Sequence, residues 1–372
     1  VNVLKRLIYK EVFLAVGLVL LAFLSLFFFF DFIDELGAIG HPSTIQPELI
    51  YQVPHALLFC ALLLPMHLYE LLPISVLIGS VLVFARFAQS SEFTILRTSG
   101  LDPWQALRLL GRLGLAFVVL TYVTGDHIAP MAGKAAQLYK ARFDGLASAG
   151  PVGAWLREKR PTSQVTVNVQ SMTGNDQLQG IRVLEFDAKG MLLRRIQAAS
   201  GEIDAQGVWQ LTDVEQMSVR NDGIQPPQMH TEHQPTLAWD TTLTAEMVSV
   251  ALLKPERMST SDLWNYVRHL DANGQSAQRY EIEFWRKVFY PLSCVVMLVL
   301  ALPFAYLHFR SGSIAGYVFI GVMVGISFFL LNEVFGFLGR LHQWWPWLTA
   351  AVPSLLYTLA SLTAFGWLVL RR

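Results

Sequence analysis

Six stretches of this chain are long and apolar enough to need a bilayer, and they fall into two groups of three on either side of residues 125–286. A bilayer-spanning helix takes about 20 mostly apolar residues. Val12–Ile33, Val53–Phe84, Leu101–Thr124, Val288–Phe309, Ile314–Leu338 and Trp347–Leu370 meet that length. The first ends in the wall Phe27–Phe30. The second is interrupted by Pro65, His67, Glu70 and Pro73, and the third is the least hydrophobic. Hydrocarbon offers backbone groups no partners, so a crossing segment satisfies its own hydrogen bonds as a helix or joins a closed barrel. Runs of this length specify helices. Only 15% of the residues are charged, against about 25% in soluble domains. A net charge of zero gives no argument for nucleic acid. Cys60 and Cys294 both lie inside apolar runs, which excludes a disulfide framework outside the membrane. The first run is too long for a signal-peptide core and no small-residue cleavage site follows it, so it is expected to remain as a span.

Lys and Arg in short loops set the orientation. Lys5, Arg6 and Lys10 precede the first span, Arg86, Arg97, Arg108 and Arg112 cluster between the second and third, and Arg310 lies between the fourth and fifth. Arg371 and Arg372 close the chain, whereas residues 34–52 contain no Lys or Arg and the loop near 340 has Arg340 alone. Both termini and residues 85–103 are therefore expected in the cytoplasm, with 125–286 on the far side. That interval alternates polar and apolar residues with a period of two at 164–169 and 181–186. Further candidates lie at 191–198, 208–211 and 217–219, with turn residues between them. The pattern predicts an antiparallel sandwich or half-open jelly roll, entered through a helix at 129–143 and left through helices at 261–270 and 276–288. The expected organisation is 1–125 with three spans, 126–286 as the β domain with flanking helices, and 287–372 with three more spans. The fold class is thus an α-helical membrane protein of six transmembrane helices with an inserted all-β, jelly-roll-like domain.

The sequence holds no Walker-type glycine loop, His-Glu-x-x-His, Cys/His metal spacing or Gly-x-Ser-x-Gly elbow. His67 and Glu70 share a helical face, but a metal needs more ligands than two. Asp31, Asp34 and Glu35 mark where the first span leaves lipid. Asn332 and Glu333 in the fifth span stand one turn from Gly336, after Gly321 and Gly325, so they read as hydrogen-bonding to another helix or as lining a polar cavity. Lys134, Lys140 and Arg142 carry cations to the far side, against the positive-inside trend. They serve headgroups and solvent, or an anionic, phosphate-bearing ligand held by charge-assisted hydrogen bonds.

Residues 90–104, SSEFTILRTSGLDPW, are a polar passage between two spans. Phe87, Phe93, Ile95 and Leu96 among polar residues, stopping at Ser99-Gly100, predict a short amphipathic helix near 88–100 with a glycine cap. Asp102-Pro103 then starts the next helix. Its polar face carries Ser90, Ser91 and Glu92 rather than lysines, which suits a protein groove better than anionic lipid.

With these residues in view, FIDELGAIG (32–40), YELLPISVLIGSV (69–81), SSEFTILRTSG (90–100) and RYEIEFWRKVFYPLSCVVMLVLALPF (279–304) resemble the LptF/LptG permeases of Gram-negative bacteria, with a lean to the LptG branch. The likeness runs end to end and includes the β insertion. It implies an inner-membrane permease that extracts lipopolysaccharide from the outer leaflet and passes it to a periplasmic jelly-roll bridge. The implied partners are an LptF-like second permease, a homodimeric LptB-like ATPase, a single-pass LptC-like protein with its own jelly roll, and an LptA-like bridge protein. Nucleic acid is not among them. No cofactor is implied on this chain, since ATP and Mg would sit on the ATPase. The resemblance maps the coupling helix onto Ser91, Glu92, Arg97 and Gly100, and the lateral gate onto Phe27, Phe30, Gly321, Gly325 and Phe328. Substrate contacts fall by residue type to Lys134, Lys140 and Arg142, while Asp31 stands where a base would suit a polyanion. Two other readings compete: a membrane-anchored ligand sensor with a cytoplasmic effector, and an intramembrane enzyme using His67 and Glu70. Six spans exceed what anchoring needs.

Overall fold

The computed structural model describes residues 2–43, 49–90, 103–144, 153–172, 177–204, 207–220, 228–252, 255–306 and 314–370. Six helical stretches are long and apolar enough to cross a membrane: Arg6–Leu36, Val53–Gln89, Arg108–Lys140, Gln278–Phe304, Ala315–His342 and Pro346–Trp367. They are built from α1 (Asn2–Leu36), α2 (Val53–Gln89), α3 (Pro103–Val123) with α4 (Ala129–Asp144), α7 (Gln278–Phe289) with α8 (Ser293–Tyr306), α9 (Ile314–His342) and α10 (Pro346–Leu370). Pro65 and Pro73 lie within α2 without ending it, because neighbouring helices stabilise the backbone groups a proline frees. In the third span the joint between α3 and α4 is a π-helical turn, Thr124–Ile128.

The chain divides into two compact units. The first holds 1–37, 60–133 and 281–372. Its core joins Val12 and Val16 of α1, Leu72, Val76 and Leu77 of α2, Leu113 and Phe117 of α3, and Met297 and Leu298 of α8. Gly79 lets α1 and α2 approach closely: a Cβ there would lie 2.7 Å from the backbone nitrogen of Val16. Small residues at such crossings are how membrane helices pack, since burying apolar surface from lipid contributes little by itself.

The second unit holds 38–59 and 134–280, so it takes in the start of α2 and most of α4. Its centre is a six-stranded antiparallel sheet in sequence order: β1 (Ala154–Lys159), β2 (Ser163–Met172), β3 (Gln177–Asp187), β4 (Leu192–Ile203), β5 (Trp209–Arg220) and β6 (Gln228–Trp239). Leu156, Val167, Val183 and Ile196 are paired across four adjacent strands and all are buried. Each such side chain contributes roughly 1.5–3 kcal/mol when taken from water. Leu243, Met258 and Leu263, from the segments around α5 (Ala245–Leu252) and α6 (Thr260–Ala272), are fully buried too. The buried Trp209 indole donates to the carbonyl of Leu243 at 2.9 Å and meets Trp239 edge to face at 5.4 Å.

The expected strands are present, and the two short pieces at 208–211 and 217–219 are one strand, β5. β1, β6 and α5 were not anticipated. Glu158 hid β1: a charge where a core residue was expected, it is buried and accepts from Thr241 Oγ1 (2.9 Å), Thr242 N (3.1 Å) and Thr242 Oγ1 (3.0 Å).

Candidate functional site

Polar groups inside membrane helices are costly and mark function or helix contacts, so the site is built from them. Along the antiparallel pair α1–α2 the close approach at Gly79 and Val16 is flanked by an ion pair and a histidine–carboxylate contact. Toward the chain's start Glu11 meets Arg86, and at the other end His67 Nε2 meets Asp31 Oδ2 at 2.8 Å. Phe27 lies against the His67 ring, with centroids 5.0 Å apart. His67 therefore engages a carboxylate on the neighbouring helix, and Asp31 turns inward rather than simply marking the end of the span.

A second constellation joins α7 to its neighbours. Lys287, buried, donates to the carbonyl of Gly125 in the π turn at 3.2 Å, with its ammonium 5.9 Å from the centre of the Tyr69 ring. A π turn breaks the regular ladder and is often found where function needs an irregular backbone. Tyr290 donates to the carbonyl of Glu70 at 2.6 Å. One turn earlier Arg286 bridges Glu283, 3.0 Å away on its own helix, and Glu333 on α9. Arg340 of α9 stands 3.8 Å from Glu283. Glu333 thus bonds to another helix, while Asn332 donates to the carbonyl of Phe328 in its own.

The spans differ in how much of them this chain covers. Over the most apolar 18-residue stretch of each, 72% of residues are buried in the second span, but 17% in the fifth and 11% in the first. On α1, Leu14, Leu18, Leu21, Phe29 and Phe30 face outward; on α9, Phe319, Met323, Phe329, Leu330 and Phe337 do. The residues assigned to a gate divide accordingly. Phe30 is outward and Phe27 half-buried. Gly321 and Gly325 face Val81 and Ile74 of α2, and Phe328 is buried with its ring 5.1 Å from Tyr357. The outward α9 residues were missed, although their three- and four-residue spacing (319, 323, 326, 330, 334, 337) is visible in the sequence.

In the second unit Lys134 and Lys140 each have a different partner. Lys134 lies 3.4 Å from Asp262, the acid that also closes the capping box of α6 with Ser259. Lys140 sits over the rings of Tyr51 and Phe59, at 4.7 and 5.2 Å, a cation–π arrangement. The side chain of Arg142 lies outside the described residues. A cavity of about 520 Å³ on the sheet is lined by Trp155, Asn168, Arg182, Gln197, Glu215 and His233. These are successive register partners across all six strands, and they form one polar row. Near this sheet, burial pushes the Glu185 carboxyl up, but hydrogen bonds from Ser163 and Arg194 and the charges of Arg194 and Arg160 outweigh it and hold it below the ordinary carboxylate range. Burial holds His269 below the ordinary imidazole range, against the opposing charge of Glu158.

The coupling residues Ser91, Glu92, Arg97 and Gly100 lie outside the described residues. Among the described residues, no group of three or more His, Cys, Asp or Glu is placed to hold a metal ion.

Comparison with known proteins gives concordant matches. The family described as lipopolysaccharide export system permease LptF/LptG matches residues 6–370. The LptG permease protein of Escherichia coli is 29% identical over 374 residues, covering 100% of this chain and 99% of that protein. The Haemophilus influenzae LptG permease protein is 26% identical over 380 residues, with the same coverage of each.

Proposed function

The chain belongs to the LptF/LptG family of lipopolysaccharide export system permeases, and from that premise we propose that it is the LptG-type half of an ATP-driven exporter. It is a multi-pass inner-membrane permease subunit, a transporter component rather than an enzyme. Its termini and the 90–104 passage face the cytoplasm and its β unit the periplasm, as the Lys and Arg distribution supports. A second, LptF-like permease stands beside it, and a homodimeric ATPase holding ATP and Mg docks on the passage through Ser91, Glu92, Arg97 and Gly100. Lipopolysaccharide enters sideways between the two permeases and leaves along the β unit toward a periplasmic bridge of LptC- and LptA-like jelly rolls.

The observation that carries this reading is the uneven cover of the spans. A permease that opens laterally needs helices whose apolar faces are finished by lipid, substrate or another subunit, and the first and fifth spans leave such faces open. Substrate phosphates meet Lys134, Lys140 and Arg142. The pairing of Asp31 with His67 keeps that carboxylate directed at its neighbour rather than at a polyanion. In the β unit, the buried face suits acyl chains when the sheet opens.

The test is extraction of the tagged chain from its native membrane in mild detergent, with identification of everything that accompanies it. A second permease, a small ATPase and bound lipopolysaccharide are expected, and Glu92→Lys should remove the ATPase while leaving the second permease. Isolation of the chain alone, or unchanged ATPase recovery with Glu92→Lys, would overturn the respective parts of the reading.

A further inference from the structure

The charged constellation on α7 and α9 is a built seat rather than a chance pairing. Glu333, Gly336 and Arg340 lie at i, i+3 and i+7 on α9 and so share one face. Opposite them Glu283 and Arg286 share a face of α7 at i, i+3. The charges alternate along Arg340, Glu283, Arg286 and Glu333, two bases with two acids, and so cancel. The missing side chain of Gly336 leaves room at the centre: a Cβ built there would lie 3.6 Å from a guanidinium nitrogen of Arg286 and 3.7 Å from one of Arg340. Arg340 is 33% exposed, Glu283 7%, Arg286 20% and Glu333 47%, so the chain of charges is innermost at Glu283 and reaches the outward surface at Glu333. There Glu333 is flanked by the exposed Leu330, Val334 and Phe337.

The rest of α9 is held differently. Earlier along the helix, Gly321 and Gly325 rest on Val81 and Ile74 of α2 and Phe328 packs on Tyr357, all without charge. Helix packing of that kind tolerates sliding and rotation more readily than an ion pair between planar groups, which fixes direction as well as distance. We propose that Arg286 is a positioning residue: seated in Glu333, Gly336 and Arg340, it latches the last third of the fifth span and thereby sets how that span's outward apolar face is presented at the lateral opening. The proposal rests on the exporter reading for its consequence, and on this chain's own geometry for the latch.

The experiment uses the complete exporter in nanodiscs, with nitroxide pairs at Leu292–Leu341 and, as the control, Leu292–Phe319. Arg286→Gln and Glu333→Gln should each broaden the Leu292–Leu341 distance distribution and leave Leu292–Phe319 unchanged. Lipopolysaccharide released per ATP hydrolysed should fall on the order of five-fold, the scale of an ordinary coupling free energy. Arg286→Lys, which keeps a base between the two acids but not the planar fork, should fall between the parent and Arg286→Gln in both readouts. Gly336→Leu, which keeps every charge but fills the seat, should act like the Gln variants. Unchanged Leu292–Leu341 distances in the Gln variants, or an Arg286→Lys variant as broad as Arg286→Gln, would overturn the latch. A changed distance with undiminished release per ATP would overturn its role at the opening. Failure of the exporter reading would show separately, as absence of lipopolysaccharide release from the unaltered protein while the distance comparison still reads the latch.

Discussion

The second span is 72% buried over its most apolar 18-residue stretch while the first is 11% buried, yet the first has the higher mean hydropathy, 2.9 against 2.1. Hydrophobicity therefore does not decide which helix lies inside. Lipid is as apolar as a leucine side chain, so a span gains little by turning from lipid to protein; small and hydroxyl-bearing residues decide instead. The second span carries Ser75, Gly79 and Ser80, all turned inward, with both serine hydroxyls fully buried. The first span offers a long face of Leu and Phe, and the fifth does likewise. An uncovered apolar face would be a liability in water. In a bilayer it is a surface available to lipid or to another chain.

The β unit is the contrast that calibrates this. There burial is from water, so removing a large side chain should cost the most. Trp209→Ala loses transfer energy and leaves a cavity, with an expected cost of about 3–5 kcal/mol, and the orphaned Leu243 carbonyl adds to it. Limited proteolysis of the β unit should be accelerated, and an unchanged protection pattern would contradict the core assigned here.

Next in size is a pair of glycines from the two compared spans. Gly79→Leu forces a side chain into the Val16 backbone and should cost about 1–3 kcal/mol or more by overpacking, read as a lower melting temperature of the purified chain. Gly17→Leu meets nothing within 4 Å and should stay within about 0.5 kcal/mol of the parent. Equal effects at the two sites would erase the distinction between covered and uncovered spans.

A smaller effect is expected at the cations of the second unit. Reversing Lys134, Lys140 and Arg142 to Glu should reduce photo-cross-linking of lipopolysaccharide to this chain, and the loss should be partial, because Lys134 and Lys140 already have partners within the unit. Undiminished cross-linking would remove these three from the site.

The smallest effect is on acidification. Glu185 has a folded pKa below its unfolded one, so its contribution is present above the unfolded value and is lost as pH falls through the folded value. His269 is likewise depressed: the folded state favours its neutral form, and its contribution too is full above the unfolded value and fades as pH falls. Both act in the same direction. Amide exchange in β2, β3 and β4, corrected for intrinsic rates, should therefore accelerate from neutral to acid pH, and Glu185→Gln should flatten the response. Slower exchange in acid would reverse the assignment.

The parts of this architecture that were legible in the sequence are those in which one physical rule acts alone. Span length gave all six membrane helices, and period-two alternation at 164–169 and 181–186 gave β2 and β3. β6 escaped because it is an edge strand exposed on both sides, with Pro235 where a ladder strand needs a donor. β5 read as two pieces because Asp213 sits in its middle at φ 56°, in the left-handed region that breaks the alternation. The charged residues were legible one at a time but not as partners. Asp31 and His67 are 36 residues apart and Arg286 and Glu333 are 47 apart; only the antiparallel packing of their helices brings each pair together. The outward stripe of the fifth span was legible as spacing, but a sequence records how apolar a helix is and not which neighbour covers it.

The central claim is that those uncovered faces meet a second permease and the passing lipid. It is tested most directly by placing a photo-cross-linking amino acid at Phe30 and Leu330, on the open faces, and at Leu77 and Phe117, in the buried core, and irradiating intact membranes. Cross-links to a second permease and to lipopolysaccharide at Phe30 and Leu330, with neither at Leu77 and Phe117, are the predicted result. Open-face positions that capture only bulk phospholipid would contradict it.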